Sequence, residues 1–202
     1  MDWTKLAGED ALARTEKALK DNGFNVFVVG TGEEARKKAL ELIKEGSEVF
    51  TVSSTTVHEI GLSKELNESG KYDSVRNRMM SMDMKTQHRE AVRITSSAEW
   101  SVGSAHAVTE DGKVMIASAS GSQLPGYSYG SPHVLWVIGT QKIVKDVNEG
   151  FRRIQEHSLP LESERARKAY GIPGSSLDKI LIMQKEHHRQ IDIILVKEAL
   201  GF

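Results

Sequence analysis

Two short apolar runs, Asn25-Val26-Phe27-Val28-Val29-Gly30 and Glu48-Val49-Phe50-Thr51-Val52, decide the fold class. Between them Thr31-Gly32-Glu33-Glu34 opens a stretch that continues to about Lys44. Its acids sit in the first turn, where the positive end of a helix dipole favours them. Glu45-Gly46-Ser47 stops it. Strand, helix and strand at this spacing predict a parallel βαβ unit with a right-handed crossover.

The pattern extends in both directions. Upstream, Leu6, Leu12, Ala18 and Leu19 lie among Lys, Glu and Arg and predict an amphipathic helix that Asn22-Gly23 ends. Downstream, a short helix is expected over residues 57–61, a strand near 72–75 and a helix over 86–98. A hairpin over 100–120 pairs residues 102–108 with 114–119 around Thr109-Glu110-Asp111-Gly112-Lys113, because Asp-Gly favours a tight turn. Residues 132–139 read as a buried strand, and Asp146 caps a helix running to about His157. Polar residues 158–174, with two prolines, cover the body, and 180–183 and 191–196 form a final strand pair. The expectation is one α/β domain over 1–202 with a mostly parallel sheet. Residues 1–22 are its N-terminal helix and 158–202 a C-terminal extension packed on the same domain.

Composition narrows the chemistry. With 27 Lys+Arg against 28 Asp+Glu the net charge is −1, which argues against nucleic acid or an anionic membrane as the main partner. The chain has no cysteine, so disulfides, thiolate-held zinc, cysteine-ligated iron–sulfur clusters and a cysteine nucleophile are excluded. Apolar runs reach only about five residues, far short of the ~20 of a membrane span, and a cytoplasmic location is the default. No His, Asp or Glu set has a recognised metal spacing. The adjacent His187 and His188 would face opposite sides of a strand, and His106 and His133 read as structural strand residues.

Two loops carry the binding expectation. Ser53-Ser54-Thr55-Thr56 follows a strand, and in open α/β sheets ligands bind beyond strand C-termini. Capping the next helix needs one hydroxyl, and four in a row point to a site for phosphate or carboxylate, with Glu59 reaching back from the helix. Ser118-Ala119-Ser120-Gly121-Ser122-Gln123 is a second small-residue loop that a ligand could approach closely, although it matches neither the P-loop nor the dinucleotide fingerprint. Each loop alone could be a plain connector. Glu110, at the hairpin turn, is either solvated or a general base facing the second loop. The stretch holding Arg76, Arg78, Lys85, His88 and Arg89 with Met79, Met80, Met82 and Met84 reads as a solvated connector or an interface segment.

Read together, three segments resemble the LUD-domain family of lactate-utilisation proteins. They are Ala107-Val108-Thr109-Glu110-Asp111-Gly112-Lys113-Val114, Tyr129-Gly130-Ser131-Pro132-His133-Val134, and Val137-Ile138-Gly139-Thr140-Gln141-Lys142-Ile143-Val144-Lys145-Asp146. Thr55-Thr56-Val57-His58-Glu59-Ile60-Gly61 and the C-terminal Ile194-Leu195-Val196-Lys197-Glu198-Ala199-Leu200-Gly201-Phe202 agree. The resemblance implies a three-layer α/β/α fold like the NagB/RpiA/CoA-transferase group and a role in oxidising lactate to pyruvate beside iron–sulfur partner proteins. It also implies a pocket lined by Ser54, Thr56, Glu59, Thr109, Glu110, Ser120, Gly121, Ser122 and Gln123. Residues 118–123 depart from the Asp-Gly-Thr-Gly-Asn-Arg of many relatives, so an acid, an amide and a positive charge are missing. The cysteine cluster some relatives carry is absent.

The expected ligand is a small anionic metabolite or phosphate-bearing molecule bound by Ser54, Thr55, Thr56 and the second loop; no cofactor is identified. If chemistry occurs, Glu110 is the expected base or nucleophile, and the N–H groups of residues 120–122 hold developing negative charge. The alternatives are a docking or regulatory subunit for an iron–sulfur oxidoreductase and, by fold analogy alone, a sugar-phosphate isomerase or acyl-CoA enzyme. A second copy of the chain is a further candidate partner.

Overall fold

The computed structural model describes residues 1–202, the Tyr170 side chain excepted. Its strands, in chain order, are β1 (Asn25–Val29), β2 (Glu48–Thr51), β3 (Asp73–Ser74), β4 (Trp100–Gly103), β5 (Ala107–Thr109), β6 (Val114–Ser118), β7 (His133–Gly139), β8 (Ile143–Val144), β9 (Lys179–Met183) and β10 (Gln190–Val196). The α-helices are α1 (Glu9–Asp21), α2 (Gly32–Leu42), α3 (Thr55–Glu59), α4 (Leu62–Glu68), α5 (Val75–Met80), α6 (His88–Ser96), α7 (Val147–Arg153) and α8 (Leu159–Tyr170).

Six strands form a sheet in the order β1-β10-β7-β4-β2-β3, every neighbouring pair parallel. Side chains alternate across a strand, so β7 sends Val134, Trp136 and Ile138 to one face and Leu135 and Val137 to the other, all fully buried. An uninterrupted apolar run suits a strand covered on both sides. On one face α2, α3 and α4 pack Ala35, Ala39, Val57, Leu62 and Leu66 against Leu135, Val137 and Ile194. On the other, Leu12 and Leu19 of α1 meet Trp136, Ile193 and Leu195. This is the three-layer α/β/α arrangement. A second sheet, ordered β8-β5-β6-β9, packs Val108, Val114 and Ile116 on the α1 side and turns Ala107 and Met115 towards Trp3 and Ile154.

Local chemistry fixes the ends. Thr31 and Glu34 form a reciprocal capping box at the start of α2, with Glu34 N donating to Thr31 Oγ1 at 3.2 Å. The β5–β6 turn needs Gly112: its φ is +82°, and a Cβ there would lie 2.7 Å from the Ala18 carbonyl carbon of α1.

Three expectations are corrected, and the polar segment 158–174 proves to contain a helix. β1 and β2 are parallel members of one sheet, but β10, β7 and β4 lie between them. The two longest strands of the sheet, with both faces covered, take the interior places. Trp100–Gly103 belongs to the large sheet, and only β5 and β6 form the hairpin. β9 and β10 do not pair. The half-exposed β9 lies along β6 at the edge of the small sheet, while the buried β10 sits between β1 and β7. Residues 158–202 therefore supply an inner strand of the main sheet as well as covering it. Finally, residues 159–170 are helical. After α7 a π-turn (Ile154–Ser158) leads straight into α8, and Pro160 is tolerated in the first turn of that helix, where no intrahelical donor is needed. No described helix is long and apolar enough to cross a membrane.

Candidate functional site

Beyond the C-terminal ends of β2 and β4 lies a cavity of about 660 Å³. The loop after β2, the loop after β4, the end of β6 and helices α5 and α8 enclose it.

The loop of residues 53–56 forms one wall. Ser54 caps α3, its Oγ accepting from Val57 N at 3.4 Å. Ser53 Oγ accepts from both terminal nitrogens of Arg76 at 3.4 Å, and Arg76 Nη1 also donates to Thr51 O at 3.2 Å. Thr56 is buried; its Oγ1 donates to Leu200 O at 3.2 Å and accepts from Lys142 Nζ at 3.0 Å.

Lys142 forms the floor. It ends the 3₁₀ turn Thr140–Lys142 after β7, is 2% exposed, and gives a second hydrogen bond to Ser104 Oγ at 3.3 Å. Burial first, and then the nearby Arg153, push its amine down to about 7, with Glu59 opposing. His106 lines the same floor. Burial, Lys142 and Arg153 hold it down to about 3, so it is neutral; its Nδ1 accepts from Ala117 N at 3.1 Å. Behind it Arg153 is fully buried, with Nη1 donating to His106 O at 2.6 Å and Ser158 Oγ at 3.1 Å. Among the described residues nothing bonds its Nε or Nη2. Burial lowers the guanidinium to about 10, which leaves it charged at neutral pH.

The opposite wall is the loop after β6. Ser118 Oγ accepts from Gly121 N at 2.8 Å and donates to Gln123 Oε1 at 3.0 Å; Ser122 N donates to Ser120 Oγ at 3.3 Å. Two of the three N–H groups expected to hold negative charge are thus committed within the loop. Glu162 and Arg165 of α8, paired at 2.7 Å, also line the cavity, as does the buried Tyr127, whose ring meets Trp136 edge-on at 5.3 Å.

The structure brings Ser54, Thr55, Thr56, Ser120, Ser122 and Gln123 to this one cavity. Among the described residues, Glu59, Thr109, Glu110 and Gly121 do not line it. Glu110 was expected to face the 118–123 loop across the hairpin, but the two lie at opposite ends of β6, roughly 15 Å apart along a five-residue strand. The turn is drawn to α1 instead: Arg14 pairs with Glu110 at 2.8 Å, and Asn22 Nδ2 donates to the carbonyls of Asp111 and Gly112. Thr109 is fully buried and accepts from Lys113 N at 2.9 Å. Glu59 accepts from Gly201 N at 2.6 Å, and Gly121 packs against Lys179. His106 sits in the bend before β5 rather than in a strand, whereas His133 in β7 stacks on Trp100 at 4.6 Å.

No motif in the sequence singles out Lys142 or Arg153, and Arg76 falls in the stretch expected to be a solvated connector or an interface segment. The available signal for Lys142 was its place between the apolar runs 134–138 and 143–144. Among the described residues no group of three or more His, Asp or Glu could hold a metal ion.

The family model of the LUD domain matches residues 12–196. The chain belongs to the LUD domain family. The fold of this LUD-domain chain is shared by the crystal structure of a DUF162 family protein from Deinococcus radiodurans, with a TM-score of 0.58 at 12% identity over 95% of this chain and 99% of that one. The crystal structure of eIF2B beta from Chaetomium thermophilum aligns over 58% of this chain and 44% of that one, at a TM-score of 0.39 and 14% identity. No curated protein matches this LUD-domain chain.

Proposed function

We propose that this LUD-domain protein binds a small anionic metabolite, bearing a carboxylate or phosphate, in the cavity, and that it does so in the oxidation of lactate to pyruvate. The observation that carries the reading is the buried Lys142 at the cavity floor, with the buried Arg153 behind the His106 that lines it. Lys142 is held by neutral hydroxyls, and Arg153 keeps two N–H-bearing atoms without partners. Buried like charges repel strongly at low dielectric, and an anion in the cavity offsets that repulsion. Arg76 adds a third cation whose donors meet only neutral oxygens, and the hydroxyls of residues 53–56 supply further donors. The lactate role rests on family kinship.

A thermal-shift panel of lactate, pyruvate, phosphate, nucleotides, CoA and sugar phosphates tests the reading. A ligand at ~100 times its Kd adds about 2.7 kcal/mol, which raises the midpoint by roughly 5–11 °C for a chain of this size. A shift that disappears in Arg76→Ala supports the site; a flat panel refutes it. A second reading, docking onto an iron–sulfur partner, draws on Met80 and Met84, which are 70% and 48% exposed. Co-purification with such a protein alongside a flat panel favours that alternative.

A further inference from the structure

We infer that Lys142 is a nucleophilic amine that forms an imine with the carbonyl carbon of a 2-oxo acid bound in the cavity. This rests on the anion-binding reading and deepens it by naming the ligand class.

The placement carries the argument. Lys142 is the only lysine among the buried side chains described, 2% exposed, yet it lines the cavity. Its two partners, Thr56 Oγ1 and Ser104 Oγ, are hydroxyls that hold Nζ in place without pairing it to an anion. A buried carboxylate partner would lock the amine as an ammonium ion; here burial first, and then Arg153 from α7, favour the neutral form, and His106 beside it on the cavity floor is itself neutral. Glu59 of α3 is the one opposing charge, and its carboxylate is engaged by Gly201 N.

A 2-oxo acid also needs a seat for its carboxylate. Arg76 is bonded to Ser53, and Lys142 to Thr56 of the same loop. Both side chains line the one cavity, which is where the carboxylate and the carbonyl of a 2-oxo acid would have to be met. In the step itself, the nitrogen lone pair attacks the carbonyl carbon and a C–N bond forms while the C=O π pair moves to oxygen. A proton passes from nitrogen to that oxygen. The C–O bond then breaks, the oxygen leaves as water with the second proton of the nitrogen, and the nitrogen lone pair closes the C=N bond, so no electron leaves or enters and no co-reactant is needed.

The test is reductive trapping on the full chain. The protein is incubated with pyruvate and cyanoborohydride near pH 7, and the products are read by intact mass and peptide mapping. The expected result is one reduced adduct per chain on Lys142, formed at least about tenfold faster than on exposed lysines, whose amines titrate near 10.5 and are almost wholly protonated at that pH. Inorganic phosphate should slow it. Adducts spread evenly over exposed lysines, or none, overturn the inference. A parallel thermal shift with lactate and phosphate, which carry no carbonyl, separates the two claims. Stabilisation by these without an adduct on Lys142 refutes the imine and leaves the anion site standing, whereas no stabilisation and no adduct removes both.

Discussion

Replacing Lys142 with Met should change how stability responds to pH in a defined window. The side chains are similar in length, and the hydroxyls left behind keep other partners, Thr56 Oγ1 on Leu200 O and Ser104 Oγ on Ala105 O. The lost hydrogen bonds therefore cost little beyond about 1 kcal/mol. The charge has the larger effect. Unfolded, the amine titrates near 10.5; folded, burial and Arg153 bring it to about 7. Between those values the unfolded chain binds a proton that the folded chain does not, so stability rises with pH from about 7 to 10.5 and is lost as pH falls back through 7. Below that both states are protonated and the dependence ends. For a difference of this size the stability of the native protein should rise relative to Lys142→Met by about 2 kcal/mol between pH 7 and pH 9. Urea unfolding of both proteins at the two pH values measures this, with exposed lysines common to both cancelling. Parallel stabilities at pH 7 and 9 would show that Lys142 is solvated or paired, and the account of the cavity floor would fail.

Acid should act through His106. Burial, Lys142 and Arg153 hold it at about 3 against an ordinary 6.5, so stability is lost as pH falls from 6.5 towards 3, and His106→Gln should flatten that limb in an acid-unfolding titration. Arg76→Ala should weaken binding of any ligand found in the panel by tenfold or more, since a hydrogen bond to a charged group contributes about 1.5–3 kcal/mol; an unchanged Kd by calorimetry contradicts the seat assigned to it. Glu110→Gln should leave that Kd unchanged and cost under about 1 kcal/mol in urea unfolding, because its pair with Arg14 lies at the surface. Gly130→Ala should destabilise the fold by several kcal/mol, with the melting temperature as readout, because the added Cβ would sit 1.7 Å from the Ser96 carbonyl oxygen, a contact that only backbone movement can relieve.

The parts of the structure legible in the sequence are those set by short-range chemistry. The apolar run of β7, the capping of α2 and the Asp111-Gly112 turn each carry their cause within a few residues. Strand order does not. Nothing local tells Asn25–Val29 to pair with residues 192–196 rather than with β2, because both alternatives bury the same side chains. The candidate site divides in the same way. Hydroxyls at residues 53–56 exceed what one helix cap needs, and they do line the cavity. Glu110 was misplaced because a hairpin has two ends, and only the contacts of Asn22 and Arg14 with the turn reveal which end meets α1. Lys142 is not legible because a lysine's identity says nothing of its burial; the 3₁₀ turn that follows β7 carries it inward.

The most direct measurement is a crystal structure of the protein grown with pyruvate. The account predicts density inside the cavity, joined to or in contact with Lys142 Nζ and bounded by Arg76 and the hydroxyls of residues 53–56. A cavity filled only with water, with the ligand elsewhere or absent at saturating concentration, would contradict it.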